Sequence, residues 1–202
     1  MCLLVESIKV WNHKPVNLDL HQQRAAKSRK ELFGADDGFD LEKLISIPEN
    51  LGKGLFKCRV LFGVKVEKID FEPYFPRKVE TLRVVVDDKI EYSHKFANRA
   101  ELVDLFEKRN GCDDVLIVKN GLVTDTSFSN ILFLSAGRWF TPEKPLLAGT
   151  RREFLIESGL VLPADISISD LKNFEKFMLV NAMLDFEEKR AVQIENIWLP
   201  VS

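Results

Sequence analysis

Residues 113–134, DDVLIVKNGLVTDTSFSNILFL, constrain the fold of this chain more than any other segment. Asn120-Gly121 lies between two apolar runs, and this dipeptide is typical of the two-residue turn of a β-hairpin. A short polar cluster then separates the hairpin from a third apolar run at 131–134. The segment therefore predicts strand, tight turn, strand, polar bend and strand. Asp125 interrupts the apolar pattern, so its carboxylate must face water or a buried cation, because burying an unpaired charge is costly.

Composition argues against several classes of protein. With 202 residues, 46% of them apolar and 30% charged, the chain can bury a core as one large domain or two small ones. The net charge of −2, without basic blocks, argues against nucleic acid as a partner. No apolar run reaches the ~18–20 residues of a membrane span, and no basic residue precedes the short apolar run at the N-terminus, so we expect neither a membrane segment nor a signal peptide. Three scattered cysteines indicate neither a disulfide framework nor a metal site, which favours a cytoplasmic protein.

The chain ahead of residue 80 alternates between strand and helix patterns. Apolar alternation predicts the strand pairs, and the proline-rich segment at 73–80 predicts a linker or domain boundary. The predicted elements are a hairpin of strands 3–10 and 16–18 across a turn at 11–15, helices at 19–33 and 37–47, and paired strands at 56–63 and 64–71.

The first of these helices carries a candidate anion-binding side chain. Asp19 and Gln22, three residues apart, form a capping pattern, and Gly34 would end the helix. His21 and Arg24 lie one turn apart on it. Spacing alone favours a solvated surface arginine at position 24.

Two later helix starts carry further polar groups. Lys95 shortly precedes a helix that the Asn98 and Glu101 capping pattern would begin, and Gly149-Thr150 begins another helix. A Gly-Thr pair at a helix N-terminus offers backbone N–H groups, a hydroxyl and the positive end of the helix dipole, which together outline a phosphate site. A solvated lysine and a plain helix cap are the commoner explanations of such patterns.

Taken in order, these motifs resemble the class IV aminotransferase family, the pyridoxal-phosphate enzymes of fold type IV. The family includes branched-chain aminotransferase, D-amino-acid aminotransferase and 4-amino-4-deoxychorismate lyase. The resemblance covers most of the chain, from about residue 5 to 197. The matching motifs are Val-Glu-Ser-Ile-Lys-Val at 5–10, His-x-x-Arg at 21–24, Lys-x-x-Asn-Arg at 95–99, Asn-Gly-x-Val-Thr-acid-x-x-x-Ser-Asn at 120–130, Leu-x-Gly-Thr-x-Arg at 147–152 and Asn-Ala-Met at 181–183, the last most like the lyase.

The resemblance implies roles for individual residues. Lys95 matches the lysine that binds the cofactor aldehyde covalently and then moves the Cα proton, and Ser7 matches a threonine linked with proton handling in the lyase. Asp125 takes the place of a glutamate that keeps the pyridine nitrogen of the cofactor protonated, although aspartate is one methylene shorter. The other implied cofactor-binding residues are Arg24, Gly149 and Thr150 at the phosphate, Ala182 and Met183 through their backbone, and Asn130, which would brace the loop of Asp125.

For fold and activity, the resemblance implies a pyridoxal 5'-phosphate-dependent lyase that releases pyruvate and 4-aminobenzoate from aminodeoxychorismate, for folate synthesis, by Cα proton abstraction and β-elimination. The alternatives are a branched-chain or D-amino-acid aminotransferase and a non-catalytic relative that binds a phosphorylated ligand. We expect a homodimer acting on a small amino-acid-like substrate. The fold implied is mixed, α+β and α/β, of the two-domain D-amino-acid aminotransferase type with a shortened N-terminus. An N-terminal α+β sandwich domain at 1–78 and a C-terminal pseudo-barrel α/β domain at 79–202 would hold the cofactor in their cleft.

The sequence does not identify the group that recognises substrate carboxylates. Arg59, Arg77 and Arg99 are present, but single arginines of this kind are more often solvated. Arg99, next to the motif asparagine, is better explained as a residue that braces the start of a helix.

Overall fold

The computed structural model describes residues 2–36 and 38–199. The chain divides into two compact units, of which the first contains Met1–Pro76 and His94–Asn98, and the second contains Arg77–Ser93 and Arg99–Ser202. The folding domains predicted at 1–78 and 79–202 remain a prediction. The compact units differ from them at residues 77–78 and in the segment His94–Asn98, which backbone hydrogen bonds join to Leu3 and Val5 of the first unit.

An antiparallel sheet and one long helix form the first unit. The strands described there are β1 (Leu4–Trp11), β2 (Lys14–Pro15), β3 (Leu55–Phe62) and β4 (Val66–Pro73), and the helices are α1 (Leu18–Phe33), α2 (Leu41–Leu44) and a 3-10 turn at Glu49–Leu51. The strand order is β2-β1-β3-β4. Alternate residues of β1 and β3 pack with α1 and α2 to form the core, and the members of this cluster are Leu4, Ile8, Val10, Ala25, Leu41, Cys58, Val60 and Phe62.

The first hairpin turns more tightly than the sequence predicted. Asn12 and His13 both have positive φ angles, 47° and 64°, as the two central residues of a type I′ turn require. The return strand therefore begins at Lys14, and the prediction of a partner strand at 16–18 is wrong.

Both helices of the first unit start differently from the prediction. Asn17, in the left-handed conformation with φ 53°, occupies the N-cap of α1 without a side-chain hydrogen bond, and Asp19 lies inside the first turn. Gly34 ends α1 with φ 64°, as predicted. The second helix is confined to Leu41–Leu44 because the Asp40 side chain caps it there; of the predicted range 37–47, Asp37 lies outside the described residues.

A larger mixed sheet dominates the second unit. Its described strands are β5 (Leu82–Val86), β6 (Asp114–Lys119), β7 (Leu122–Thr126), β8 (Asn130–Ser135), β9 (Arg138–Pro142), β10 (Val161–Ala164), β11 (Lys176–Val180), β12 (Val192–Gln193) and β13 (Ile197–Trp198). The main order is β10-β9-β8-β7-β6-β5-β13, and β11 pairs with β8 and β12. The helices are α3 (Ala100–Glu107) and α4 (Thr150–Glu157), with 3-10 turns at Ile168–Asn173, Glu188–Arg190 and Ile194–Asn196.

The central segment folds as predicted. β6 and β7 form an antiparallel hairpin whose turn, Asn120-Gly121, has φ angles of 50° and 79°. Residues 126–129 make the polar bend, and β8 follows. The uninterrupted burial of β6 from Asp114 to Val118 is typical of a strand that is covered on both faces.

Local capping in the second unit differs from the prediction. Arg99 and Gly149, rather than Asn98 and Thr150, occupy the N-cap positions of α3 and α4, and neither forms a side-chain cap. Ser167 caps the 3-10 turn at Ile168–Asn173. The final described segment consists of β12, a 3-10 turn and β13. None of the helices in the described part of the chain is long and apolar enough to cross a membrane.

Candidate active site

A buried ion cluster joins β1 to α1 in the first unit. The Arg24 guanidinium donates from Nε to Glu6 Oε1 (2.9 Å) and from Nη2 to Glu6 Oε2 (2.6 Å). His21 Nδ1 lies 2.6 Å from the same Oε2. The Glu6 and His21 side chains are 1% exposed and that of Arg24 is 13% exposed. Arg24 is therefore a fixed, nearly buried cation and not the solvated arginine that its spacing favoured.

The protonation states of this cluster follow from its geometry. Burial alone would raise the pKa of Glu6, but the Arg24 guanidinium and the hydrogen bond from His21 hold that pKa far below its usual value. Burial lowers the pKa of His21 although the Glu6 carboxylate opposes this shift. His21 is therefore neutral near pH 7, and its Nδ1–H donates to the carboxylate.

Lys95 lies beside β1 of the same unit. The backbone N–H of Val5 donates to the carbonyl of Lys95 (2.9 Å), and that of Ala97 donates to Leu3 (2.8 Å). Leu4 and Phe96 form the bridge between these bonds, and both side chains belong to the apolar core of the first unit. Lys95 itself is half-buried, and its positive charge contributes to the lowered pKa of His21.

Ser7 lies on the face of β1 opposite the ion cluster. Side chains alternate along a strand, so Ser7 and Val5 share one face while Leu4, Glu6 and Ile8 share the other. Ser7 is half-buried, and within the part of the chain that the structure describes no hydrogen bond joins its hydroxyl to another side chain. The backbone carbonyl of Lys95 is bound by Val5, which lies two residues from Ser7 along β1.

In the second unit, Asp125 is held by two neighbouring segments. Its Oδ1 accepts a hydrogen bond from Asn130 Nδ2 (2.7 Å), and its Oδ2 accepts one from the backbone N–H of Leu147 (2.9 Å). Asn130 Nδ2 also donates to the carbonyl of Leu147 (2.9 Å). Asp125 and Asn130 stand directly opposite each other on β7 and β8, and each is 5% exposed. The Asn130 side chain therefore braces Asp125.

Asp125 binds a proton more tightly than an exposed aspartate does. Burial raises its pKa to about 6, although the Leu147 N–H, the Asn130 amide and the charge of Arg152 all act to lower it. Arg152 is 5% exposed and donates to the carbonyl of Pro142 (2.8 Å). The guanidinium of Arg152 is the main cation that favours the ionised form of this carboxylate within the second unit.

The start of α4 adjoins this network through a glycine. A Cβ on Gly149 would lie 1.9 Å from Asn130 Oδ1, so only glycine allows the backbone to approach this closely. Thr150 is the first residue of α4 and is 3% exposed. The first N–H groups of an α-helix have no partner within the helix, and they carry its positive dipole end. The N-terminus of α4 can therefore bind an anion.

The turn after β11 lies against the same strand. Val180 pairs with Asn130, so the turn that contains Ala182 and Met183 begins beside the Asp125 network. Asn181 fixes this turn because its Oδ1 accepts from the Met183 N–H (2.8 Å) and its Nδ2 donates to Ser129 Oγ (2.9 Å).

Three residues with clear structural importance had no predicted role, although they lie inside the quoted motifs: Glu6, His21 and Arg152. Glu6 gives a signal, because it falls on the face of a strand that otherwise buries Leu4 and Ile8. A carboxylate at such a position requires a cationic or hydrogen-bonding partner. The identity of that partner depends on long-range packing against α1.

Comparison with known proteins places the chain in a family. The model of the class IV amino-transferase family matches residues 3–186, and the chain therefore belongs to this enzyme family. It is 37% identical over 182 residues to an uncharacterized Haemophilus influenzae protein, covering 89% of this chain and 97% of that protein.

Solved structures agree with this assignment. A Haemophilus somnus protein provisionally named 4-amino-4-deoxychorismate lyase has a TM-score of 0.84 and 32% identity, over 92% of this chain and 98% of its own. A branched-chain aminotransferase from Thermoproteus uzoniensis has a TM-score of 0.73 at 20% identity, covering 97% of this chain and 78% of its own, which shows a shared fold. By sequence alone, a Schizosaccharomyces pombe protein provisionally named aminodeoxychorismate lyase is 31% identical over 99 residues, which are 44% of this chain and 43% of that protein. The predicted fold class and family are confirmed.

Proposed function

We propose that the chain is a pyridoxal-phosphate-dependent lyase that converts 4-amino-4-deoxychorismate to 4-aminobenzoate and pyruvate. The single observation that carries the proposal is the pairing of Lys95 with Val5, which sets the lysine beside the strand that bears Ser7. An amine and a hydroxyl are the two groups needed to remove one proton and supply another. The lyase name carried by the Haemophilus somnus structure, matched over nearly all of both chains, supports the choice of substrate.

The groups on the chain suit the chemistry of this cofactor. Lys95 offers an amine for its aldehyde, Asp125 a carboxylate for its ring nitrogen, and Arg24 a cation for its phosphate. The N-terminus of α4 offers N–H groups to the same phosphate, and the close approach of Gly149 to Asn130 keeps this backbone bare of a side chain. When bound, pyridoxal phosphate supplies the electron sink that makes a proton on the amine-bearing carbon acidic.

Each residue then has a defined task in the proposed reaction. Lys95 removes the proton from the ring carbon that carries the amino group. The C–O bond on the adjacent carbon breaks, the enolpyruvyl group leaves with the bonding electrons, and the ring becomes aromatic. Ser7 supplies a proton to the departing group, which is released as pyruvate. The buried Glu6 keeps Arg24 in place throughout, because a carboxylate bonded at both oxygens cannot move without breaking two charged hydrogen bonds.

The experiment that tests the proposal combines a cofactor assay with a product assay. Protein incubated with pyridoxal phosphate and reduced with borohydride should carry a covalent adduct on Lys95, located by peptide mass spectrometry. Lys95→Ala should lose the adduct and the activity, whereas Lys89→Ala, at an exposed lysine, should keep both. An adduct that persists in Lys95→Ala would disprove the role of this lysine.

The product assay separates the lyase from an aminotransferase. We expect release of 4-aminobenzoate and pyruvate from 4-amino-4-deoxychorismate with no acceptor added. Pyruvate or 2-oxoglutarate should not restore the aldehyde form from the amine form of the cofactor. Rapid restoration by either oxo acid would favour a branched-chain or D-amino-acid aminotransferase, and absence of any adduct would favour a non-catalytic phosphate-binding relative. We also propose a homodimer, which analytical ultracentrifugation would test.

A further inference from the structure

We infer that Arg59 is the residue that selects a carboxylate-bearing ring substrate, by binding that carboxylate beside Ser7. The inference rests on the proposed function, because it uses the assignment of Ser7 to the reaction. It adds a specificity-determining side chain that lies outside the motifs by which the chain resembles the family.

The strand register places Arg59 next to Ser7. Ser7 on β1 pairs with Arg59 on β3, and Arg59 pairs in turn with Asp70 on β4. Cβ atoms of directly opposed residues lie about 5 Å apart and on the same face of the sheet. Cys58 and Val60, on either side of Arg59, are buried in the core, so Arg59 belongs to the opposite face with Ser7.

The guanidinium of Arg59 has no partner within the described residues. Arg59 is half-buried, yet no hydrogen bond or ion pair joins it to another described side chain or backbone group. Asp70, its acidic neighbour, is engaged by Lys68 instead, with 2.8 Å between Nζ and Oδ1. A guanidinium that has lost part of its hydration and has five donors in a planar fork is suited to bind a carboxylate through two parallel hydrogen bonds.

Neighbouring charges strengthen this preference for an anion. Lys9 and Lys57 form the adjacent cross-strand pair on the same face, one step along from Ser7 and Arg59. Glu72, which pairs with Lys57 in the register, forms an ion pair with it. Lys57 and Glu72 therefore balance each other, and Asp70 is occupied by Lys68, so neither carboxylate of these rows forms an ion pair with Arg59.

The substrate class follows from this chemistry. Because Arg59 pairs with Ser7, the hydroxyl proposed to supply a proton, a carboxylate bound by Arg59 would lie on the reacting molecule. The proposed substrate and its aromatic product share a ring carboxylate. Amino acids with apolar side chains lack a second carboxylate of this kind. Arg59 would therefore favour the ring acid over such amino acids.

Affinity for the product tests the inference independently of turnover. The holoenzyme should bind 4-aminobenzoate about 10–100-fold more tightly than 4-aminobenzamide, the range expected for a charged hydrogen bond worth about 1.5–3 kcal/mol. Isothermal titration of both compounds measures this ratio. Arg59→Met should reduce it to nearly one, and Arg59→Lys should keep an intermediate ratio. Arg138→Met, at an exposed strand arginine of the second unit, should leave it unchanged.

Kinetics and cofactor titration complete the test. Arg59→Met should raise KM for 4-amino-4-deoxychorismate by about 10–100-fold with a smaller change in kcat, and its affinity for pyridoxal phosphate should equal that of the wild type. A wild-type protein that binds acid and amide equally, or a variant that still prefers the acid, would overturn the inference. If circular dichroism shows that Arg59→Met does not fold, Arg59→Lys decides the test. The inference is also overturned if Arg59→Lys prefers the acid over the amide as strongly as the wild type does and its KM is unchanged. Absence of lyase activity in the wild type would refute the proposed function instead, and the binding ratio would still report on Arg59.

Discussion

Asn130 holds Asp125 through a 2.7 Å hydrogen bond between directly opposed residues of two strands. The second carboxylate oxygen of Asp125 is bound by the backbone of Leu147, so both oxygens are fixed from within the second unit. Aspartate is shorter than the glutamate that the family resemblance implies at this position. The short side chain is therefore anchored close to its own strand, and its orientation depends on Asn130 and on the segment before α4.

The raised pKa of Asp125 should make folding depend on pH. An aspartate titrates near 3.8 in the unfolded chain and at about 6 in this site. Between these values the folded state holds a proton that the unfolded state lacks, so the free energy of unfolding should fall as pH rises. The full effect is on the order of 3 kcal/mol, at about 1.4 kcal/mol per pKa unit.

Urea denaturation of the cofactor-free protein at several pH values would measure this dependence. The stability of the wild type minus that of Asp125→Asn should decrease as pH rises from about 4 to 7, since asparagine has no proton to lose. Asp165→Asn, at an exposed aspartate, should follow the wild-type profile. Parallel profiles for wild type and Asp125→Asn would show that the carboxylate is not perturbed.

Gly149→Ala should disrupt the hydrogen bonds among Asp125, Asn130 and Leu147. The added methyl would overlap Asn130 Oδ1, and the Asn130 amide could yield only by breaking its bonds to Asp125 and Leu147. We expect a loss of about 1–3 kcal/mol in the free energy of unfolding, and weaker binding of pyridoxal phosphate. Gly38→Ala is a matched control, because a Cβ there meets no atom within 4 Å.

A double variant separates overlap from other effects of alanine at position 149. In an Asn130→Ala background the clashing atom is gone, so Gly149→Ala should cost much less than it does in the wild type. An equal loss of stability in both backgrounds would mean that the destabilisation does not come from contact with Asn130.

Glu6→Gln should unbalance the buried ion cluster. It removes the counter-charge of Arg24, whose side chain is only 13% exposed, and we expect a loss of about 3 kcal/mol at pH 7. The lowered pKa of Glu6 means that its contribution is complete above the unfolded value of 4.5 and is lost progressively as pH falls from there through the much lower folded pKa. The gap in stability between wild type and Glu6→Gln should therefore narrow in acid.

Chemical denaturation at about pH 7 and about pH 3 would measure this gap. Glu67→Gln, at an exposed glutamate of β4, provides the control and should change stability little at either pH. A gap that persists unchanged in acid would mean that packing, rather than charge, explains the loss.

Local signals predicted the parts of the fold that local chemistry determines. The Asn120-Gly121 hairpin was predictable because its turn demands two positive φ angles that these residues adopt at low cost. The start of α1 was not, because Asn17 reaches the cap in a left-handed conformation without a side-chain bond, and the Asp19 pattern suggested a later start. Sequence spacing cannot reveal which of two polar residues so close in the chain will take the cap.

Long-range contacts account for the remaining differences. The segment around Lys95 joins the first unit through bonds to Leu3 and Val5, some ninety positions earlier in the sequence, and no periodicity encodes such a pairing. The fixed state of Arg24 likewise depends on Glu6 in another element. The ordered motifs identified the residues, whereas their partners required the tertiary structure.

The last prediction concerns the ion pair between Arg151 and Asp185. Arg151 Nη2 lies 2.7 Å from Asp185 Oδ1 and joins the first turn of α4 to the end of the turn that contains Ala182 and Met183. The Arg151 side chain is 9% exposed and that of Asp185 is 41% exposed, so this pair is less screened than a surface pair. A double-mutant cycle of Arg151→Met and Asp185→Asn should give a coupling energy of about 1 kcal/mol. The exposed pair Lys189 and Glu187, 2.9 Å apart, should show no measurable coupling.

If α4 and this turn bind one phosphate, each single variant should also weaken pyridoxal phosphate binding, measured by fluorescence titration. Coupling in stability without any change in that affinity would show that the pair only holds the two segments together.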